Sequence, residues 1–151
     1  QFIQAEPASR VGLIQALAAM RVFLLVAVSF LALASCDRTS QSFKTYDELV
    51  QRDALQSGWF PSWLPASSRD IREAHDMDTN QSMLAASFGD ASWRPPCQAV
   101  ASVPTAPFDR DWWPADLSSG SGWQLFSCGP GEHAAIHPIQ KLLLHWRPNG
   151  S

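Results

Sequence analysis

Four side chains within six residues have the types needed for a metal or acid–base site: Glu73, His75, Asp76 and Asp78. On a β-strand, residues two apart share a face, so Glu73 and His75 are expected to point to the same side. A metal-assisted hydrolase centred on the four residues is therefore one hypothesis. Zinc sites normally use three or four convergent ligands, and no second histidine lies at motif spacing from His75. The alternative is a polar, partly exposed strand edge.

Asp76, Asp78 and Asn80 also have the alternate spacing that opens a calcium-binding loop. The sixth position of that loop is Gln81 instead of glycine, and the twelfth is Ser87 instead of glutamate. These departures favour a turn in which the Asp and Asn side chains bond the local backbone. We therefore predict a turn here and no cofactor for the chain.

Two adjacent tryptophans, Trp112 and Trp113, are the candidate contact residues for a binding partner. They lie in residues 89–122, a stretch rich in Pro, Gly and Ser. Neighbouring residues of an extended segment point in opposite directions, so one ring could pack in the core while the other faces a ligand. Exposed tryptophan suits contacts with sugars or proteins. The alternative is that both rings cover the core beneath a long loop.

The elements that must position these residues indicate an α+β domain. Thr45 and Glu48 have capping-box spacing and predict one N-terminal helix over residues 45–56. Strands are predicted at residues 70–75, 82–88, 122–128, 133–137 and 140–146. The first two strands would form a β-hairpin, and a helix over residues 68–77 is the alternative. We expect the N-terminal helix to pack on an antiparallel sheet of four or five strands in a loop-rich domain with one disulfide.

An apolar run near the start of the chain predicts export. Residues 22–34 carry no charge and follow Arg21, and they are fewer than the roughly 20 residues that a membrane-spanning helix needs. The run ends in Leu33-Ala34-Ser35-Cys36, which resembles the lipobox of bacterial lipoproteins. The alternative is a retained anchor over residues 11–35, which would place Arg21 in the bilayer at a cost of about 2.5–3.5 kcal/mol.

The resemblance implies that residues 20–35 are a signal peptide and that Cys36 carries the lipid. The protein would then be held on a bacterial cell membrane and face the periplasm or the exterior. Residues 1–19 are interpreted as an upstream extension before a start at Met20, and residues 36–42 as a tether. Residues 43–151 would form a single extracytoplasmic domain. Residues 58–80 are also similar to stretches of small uncharacterised bacterial lipoproteins, which implies no particular activity.

The remaining two cysteines, Cys97 and Cys128, are predicted to form a disulfide. Once Cys36 is lipidated, they are the pair left in an oxidising compartment, where disulfides persist. On the chain-entropy model, a disulfide that closes the loop from Cys97 to Cys128 adds about 3–4 kcal/mol to the free energy of unfolding. The alternative is two unrelated buried thiols.

Charge and motif content indicate binding instead of catalysis. The chain has 14 Asp and Glu against 11 Lys and Arg, and its formal net charge is −3. The absence of a clustered basic run argues against a nucleic-acid partner. The sequence contains neither a Gly-x-Ser-x-Gly nucleophile elbow nor a phosphate-binding Gly-Lys-Ser/Thr motif. We therefore expect an envelope interaction module whose partners are the lipid bilayer, through Cys36, and an envelope protein or a cell-wall polymer.

Overall fold

The computed structural model describes residues 38–149, which contain seven β-strands and one short α-helix. The strands are β1 (Arg38–Thr45), β2 (Arg69–Asp76), β3 (Gln81–Ser87), β4 (Gln98–Val100), β5 (Gln124–Gly129), β6 (Glu132–His137) and β7 (Leu142–Arg147). The helix α1 spans Tyr46–Gln51, and two 3₁₀-helices span Ala54–Ser57 and Ser119–Ser121. The predicted upstream extension, signal peptide and lipidated Cys36 lie outside the described residues.

All seven strands belong to one antiparallel sheet in the order β1-β2-β3-β7-β6-β5-β4. The predicted β2–β3 hairpin is confirmed, and Asp76 and Gln81 are paired at its turn. The pairing of β3 with β7 joins the first three strands to the last four and places Leu84 opposite His145. An antiparallel sheet with one α-helix and a disulfide is therefore the correct broad class.

The strand count and the position of the helix differ from the prediction. The sheet has seven strands instead of four or five, and β1 precedes the helix, which is therefore not N-terminal. Residues 38–42, predicted as part of a tether, lie in β1. The reason is that β1 is an edge strand with Phe43 as its one buried residue, so it lacks the apolar alternation that reveals a strand. β4 has three residues and leaves a similarly weak pattern.

The capping residues at Thr45 fix where β1 ends and α1 begins. Thr45 has an extended backbone, and its Oγ1 accepts a 3.2 Å hydrogen bond from the Glu48 amide. Glu48 Oε2 in turn accepts a 2.7 Å hydrogen bond from the amide of Lys44. This arrangement satisfies donors at the helix start. No helix in residues 38–149 has the length and apolar content required to span a bilayer.

Both faces of the sheet are covered, so each face has its own apolar core. We call the side packed against α1 the helix face; its buried residues include Phe43, Leu49, Ile71, Leu84 and Leu143. We call the other side the loop face, because residues 103–117 of the long β4–β5 connection pack on it. Its buried residues include Ala74, Met83, Phe108, Leu144 and Trp146. Alternate residues of each central strand serve the two cores.

Trp146 links the long loop to the sheet. Its ring is fully buried on the loop face, and its Nε1 donates a 3.1 Å hydrogen bond to the carbonyl of Pro104. A buried tryptophan needs a partner for its N–H group, and here the loop backbone provides it. The loop is therefore held against β7 at Pro104, in addition to its attachment to β4 and β5 at its two ends.

Candidate functional site

Glu73 and His75 lie two residues apart on β2, and both are buried on the helix face. His75 Nδ1 is 2.9 Å from Glu73 Oε1. Gln41, from β1, donates a 2.9 Å hydrogen bond to Glu73 Oε2. The ring of Trp59 stacks on the His75 ring, with centroids 4.2 Å apart. The structure thus brings two of the four predicted cluster residues together beneath an aromatic ring.

The surroundings of Glu73 suit a structural pair better than a reactive one. Burial raises the pKa of the Glu73 carboxyl, and the hydrogen bonds with Gln41 and His75 oppose that shift. Burial has this effect because it disfavours the charged form of a carboxyl. Glu73 is 1% exposed and His75 is 6% exposed. Both side chains are therefore almost closed to solvent, although Glu73 borders the groove along β1.

Asp76 does not join the pair, and Asp78 lies in the turn that follows β2. Asp76 is the neighbour of His75 in the strand, so its side chain points to the opposite face. There it lies 3.3 Å from Nε of Arg38 and accepts 3.1 Å hydrogen bonds from the amides of Asp78 and Thr79. The backbone hydrogen bond from Thr79 is the largest cause that lowers the pKa of Asp76. Asp76 thus stabilises the hairpin turn, as the turn interpretation of this segment predicts.

The predicted metal cluster is therefore not assembled. Within residues 38–149, no group of three or more His, Cys, Asp or Glu side chains has an arrangement that could hold a metal ion. The physical reason is the period of the strand, which separates Glu73 and His75 from Asp76. The calcium-loop spacing has the same outcome, since the Asp76 carboxylate is occupied by amides of its own turn.

The loop face contains a cavity of about 730 Å³ between the long loop and β5. Trp113 forms part of its wall, and the Trp113 ring meets Trp146 edge-on with centroids 5.5 Å apart. The other apolar residues around the cavity include Val103, Pro104, Pro107, Phe108, Pro114, Leu117 and Leu125. Polar groups at its border include Ser102, Thr105, Asp109 and Ser118. The lining is thus apolar and polar in nearly equal measure. Concave sites that combine apolar side chains with polar groups are typical of ligand contacts.

Trp112 lines a different depression. Its ring lies 6.1 Å from that of Trp113, and both rings are half-buried against the loop-face core. Trp112 forms one wall of a groove of about 900 Å³ along β1, which also includes Ser40 and Gln41. Neither ring is fully exposed and neither is fully buried. The two adjacent tryptophans therefore border two separate concave surfaces.

A charged network on the helix face was not predicted. His145 Nε2 lies 3.2 Å from Glu132 Oε1, and Arg147 Nη2 lies 2.9 Å from the same oxygen. His145 is fully buried, and its Nδ1 has no hydrogen-bond partner within residues 38–149. Burial lowers the pKa of His145, and the contact with Glu132 opposes that shift. The spacing of His145 and Arg147 indicates that they share a face of a strand. It does not reveal Glu132, because that carboxylate comes from β6.

The predicted disulfide between Cys97 and Cys128 is confirmed. Cys97 directly precedes β4, and Cys128 lies in β5, the strand that pairs with β4. The two residues are 31 positions apart. The bridge therefore closes the segment that carries both the loop-face cavity and the two candidate tryptophans.

Residues 37–87 match the family model described as the YbbD head domain. This YbbD-head segment includes β1, α1 and the β2–β3 hairpin. No curated protein and no solved structure gives a significant match to the chain. The match assigns no activity.

The YbbD-head segment contains one of the two candidate sites. Trp59, Glu73 and His75 all lie within it, together with the β1 side of the groove. Trp112 and Trp113, and the cavity beneath the long loop, lie beyond its last matched residue. The loop-face cavity is therefore a feature to be interpreted from the geometry of this chain alone.

Proposed function

We propose that this chain is a lipid-anchored bacterial lipoprotein that acts as a binding module in the cell envelope. Its contact surface is the loop-face cavity, with Trp113 as the central side chain and Trp112 beside it. The lipobox-like sequence at Cys36 supports the anchor. The Cys97–Cys128 disulfide supports export, because disulfides persist in oxidising compartments.

The cavity is the observation on which the proposal depends. Trp113 combines a large apolar ring with a polar N–H group, and such rings are prominent where proteins bind partners. Trp146 packs against the Trp113 ring from below, and the disulfide closes the same segment of chain. The cavity wall is therefore held in position before a partner arrives, which reduces the entropy lost on binding.

The geometry does not favour a metal-assisted hydrolase at Glu73, His75, Asp76 and Asp78. Asp76 points away from the buried pair, and its oxygens are engaged by Arg38 and the turn amides. Trp59 covers the imidazole ring. The observed side chains fit binding at the loop-face cavity better than catalysis at Glu73 and His75.

The partner is tested by capture from detergent-solubilised membranes and by co-sedimentation with purified cell-wall polymer. We expect the wild-type chain to capture a defined envelope protein or the polymer, and Trp113→Ala to lose that capture. Trp93→Ala is the matched control, because Trp93 is a half-buried tryptophan packed on the helix face against Trp63 and Phe88. All variants are compared by thermal unfolding before capture is scored.

Two outcomes would contradict the proposal. One is an unchanged set of captured partners for a folded Trp113→Ala variant. The other is equal loss of capture for Trp93→Ala, which would indicate a general loss of stability instead of a contact at the cavity. The anchor has its own test, since labelled palmitate should enter the wild-type chain and not the Cys36→Ser variant.

A further inference from the structure

The free edge of β1 lies along the groove that Trp112 borders. Among the described strands, β1 has β2 as its single neighbour, because it stands at one end of the sheet order. It is eight residues long, and four of its first five residues are exposed. The other end of the sheet is β4, which has three residues.

The hydrogen bond of Lys44 shows which backbone groups face outward. Its amide donates to Glu48 Oε2 at 2.7 Å and therefore does not point toward β2. In an antiparallel strand, the N–H and C=O groups of one residue point to the same side, and successive residues alternate. The main-chain groups of Ser40 and Ser42 therefore face the free edge. They form a row of donors and acceptors for another strand.

The groove along this edge has two walls. On the helix face the wall consists of Arg52, Asp53, Ala54 and Ser57. On the loop face the wall consists of Asp111 and Trp112. The floor is the stretch Ser40–Phe43 of β1 together with Arg72 and Glu73 of β2, and the volume is about 900 Å³. A chain that enters the groove meets unpaired main chain at its base and side chains at both flanks.

Sheet edges are commonly protected by short length, Pro, a bulge or charged side chains, especially Lys. Arg38 and Lys44 lie near the two ends of β1, and the part of the strand between them lacks these features. The stretch Thr39–Phe43 contains no Pro, no Gly and no charged residue. In contrast, β4 is short and follows Pro95-Pro96-Cys97, with the disulfide at its start. One edge of the sheet is therefore short, while the other is long, uncharged at its centre and grooved.

We propose that the free edge of β1 binds an extended segment of a partner polypeptide as an eighth strand of the sheet. Main-chain hydrogen bonds to Ser40 and Ser42 provide the affinity, as in other complexes formed by strand addition. Side chains of the bound segment alternate between the two walls. Apolar residues face Trp112, and polar uncharged residues face Arg52 and Asp53. This surface is separate from the loop-face cavity, so the inference goes beyond the proposed function.

The test uses the full chain in detergent and the peptide acetyl-Thr-Val-Thr-Val-Thr-Val-amide as the probe. We expect the peptide to slow hydrogen exchange of the Ser40 and Ser42 amides by about tenfold or more, since exchange then requires the new strand to open. A peptide with the same side chains and N-methyl groups at alternate residues is the matched control. Two such peptides are prepared, one methylated at the odd residues and one at the even residues. The peptide whose methyl groups replace the N–H donors to the β1 edge should fail to bind.

Variants of Ser42 separate the main chain from the side chain. Ser42→Pro removes the outward N–H group and should weaken peptide binding by about tenfold. This is the change in affinity expected for the loss of one hydrogen bond. Ser42→Ala retains the amide and should bind as the wild type does. Proline is tolerated at outward-facing positions of edge strands. If Ser42→Pro does not fold, the comparison of the two peptides decides the question.

Three results would overturn the inference. The first is unchanged exchange at Ser40 and Ser42 with the unmethylated peptide. The second is equal binding of both peptides, or wild-type affinity in a folded Ser42→Pro variant. The third is that, without peptide, protection of these amides increases with protein concentration. That result would mean that a second copy of the chain binds the edge. Trp113→Ala should leave peptide binding unchanged, so failure here and failure of the proposed function are distinguishable.

Discussion

The ring of Trp59 lies flat on the ring of His75, with centroids 4.2 Å apart and planes 7° apart. This contact decides how the most chemically suggestive residues of the chain are used. Because the imidazole is covered and Glu73 is 1% exposed, the pair joins β2 to Gln41 of β1 instead of meeting a ligand. Catalysis by His75 would require a substrate to reach the imidazole ring. The indole ring of Trp59 occupies that position.

Glu73→Gln is expected to increase stability at neutral pH. Because the pKa of Glu73 is raised by burial, the stability from this group is present below its ordinary pKa and is lost as the pH rises through the folded value. The neutral amide retains the size of the side chain and removes the buried charge. Urea unfolding at pH 7 should show the variant to be more stable, and the difference should shrink below pH 4.5. A destabilised variant at pH 7 would mean that the charged form is favoured in the folded state.

Glu132→Gln should have the opposite pH dependence. The contact with His145 is the largest cause that lowers the pKa of Glu132, to about 2. A carboxyl with a lowered pKa contributes stability above its ordinary value of 4.5, and that stability is lost as the pH falls toward 2. Thermal unfolding should therefore show the wild type to be more stable at pH 6, with the two proteins converging near pH 2. Parallel curves across this range would rule out the assigned role of the carboxylate.

Removal of the disulfide should destabilise the domain strongly. The Cys97→Ala, Cys128→Ala double variant opens a segment with a sequence separation of 31. We expect a loss of about 3–4 kcal/mol in the free energy of unfolding, because the unfolded chain regains loop entropy. Urea denaturation of the oxidised, reduced and variant proteins measures this loss in the free energy of unfolding. Identical midpoints for the oxidised and variant proteins would show that the bridge adds no stability.

Trp146→Phe should loosen the long loop more than it destabilises the sheet. The variant keeps an aromatic ring beside Trp113 and loses the hydrogen bond to the Pro104 carbonyl. We expect a cost of about 1–2 kcal/mol from the lost bond and the smaller ring. Limited proteolysis should show faster cleavage within residues 101–118 than in wild type. Unchanged cleavage there would indicate that the tryptophan does not hold the loop.

Gly122→Ala tests a close approach between the loop and β6. Gly122 has a φ of +90°, and an added Cβ would lie 2.8 Å from His137 Nε2. Gly58→Ala is the matched control, because Gly58 has a φ of +80° and open space around the added atom. The control should lose about 1 kcal/mol from backbone strain alone. The Gly122 variant should lose about 1–3 kcal/mol more from overpacking. Equal losses in chemical denaturation would mean that His137 moves away freely.

Local chemistry was readable from the sequence. Thr45 and Glu48 predicted where the helix begins, because capping requires only residues three apart. The turn between β2 and β3 was readable for the same reason, since Asp76 bonds amides two and three residues away. The pairing of Cys97 with Cys128 followed from the number of cysteines that remain once Cys36 is set aside as the proposed lipidation site. Each of these inferences depends on neighbours in the chain or on simple counting.

Long-range placement was decided by the tertiary structure. β1 has no apolar alternation, so its place in the sheet depends on hydrogen bonds to β2, a strand more than twenty residues later. Glu132 meets His145 because β6 and β7 pair in one particular register, and Trp59 covers His75 because a connector folds back over the sheet. Sequence spacing determines which residues of one strand share a face. It does not determine what lies above that face, because the free energy of burial depends on the packing of the whole chain.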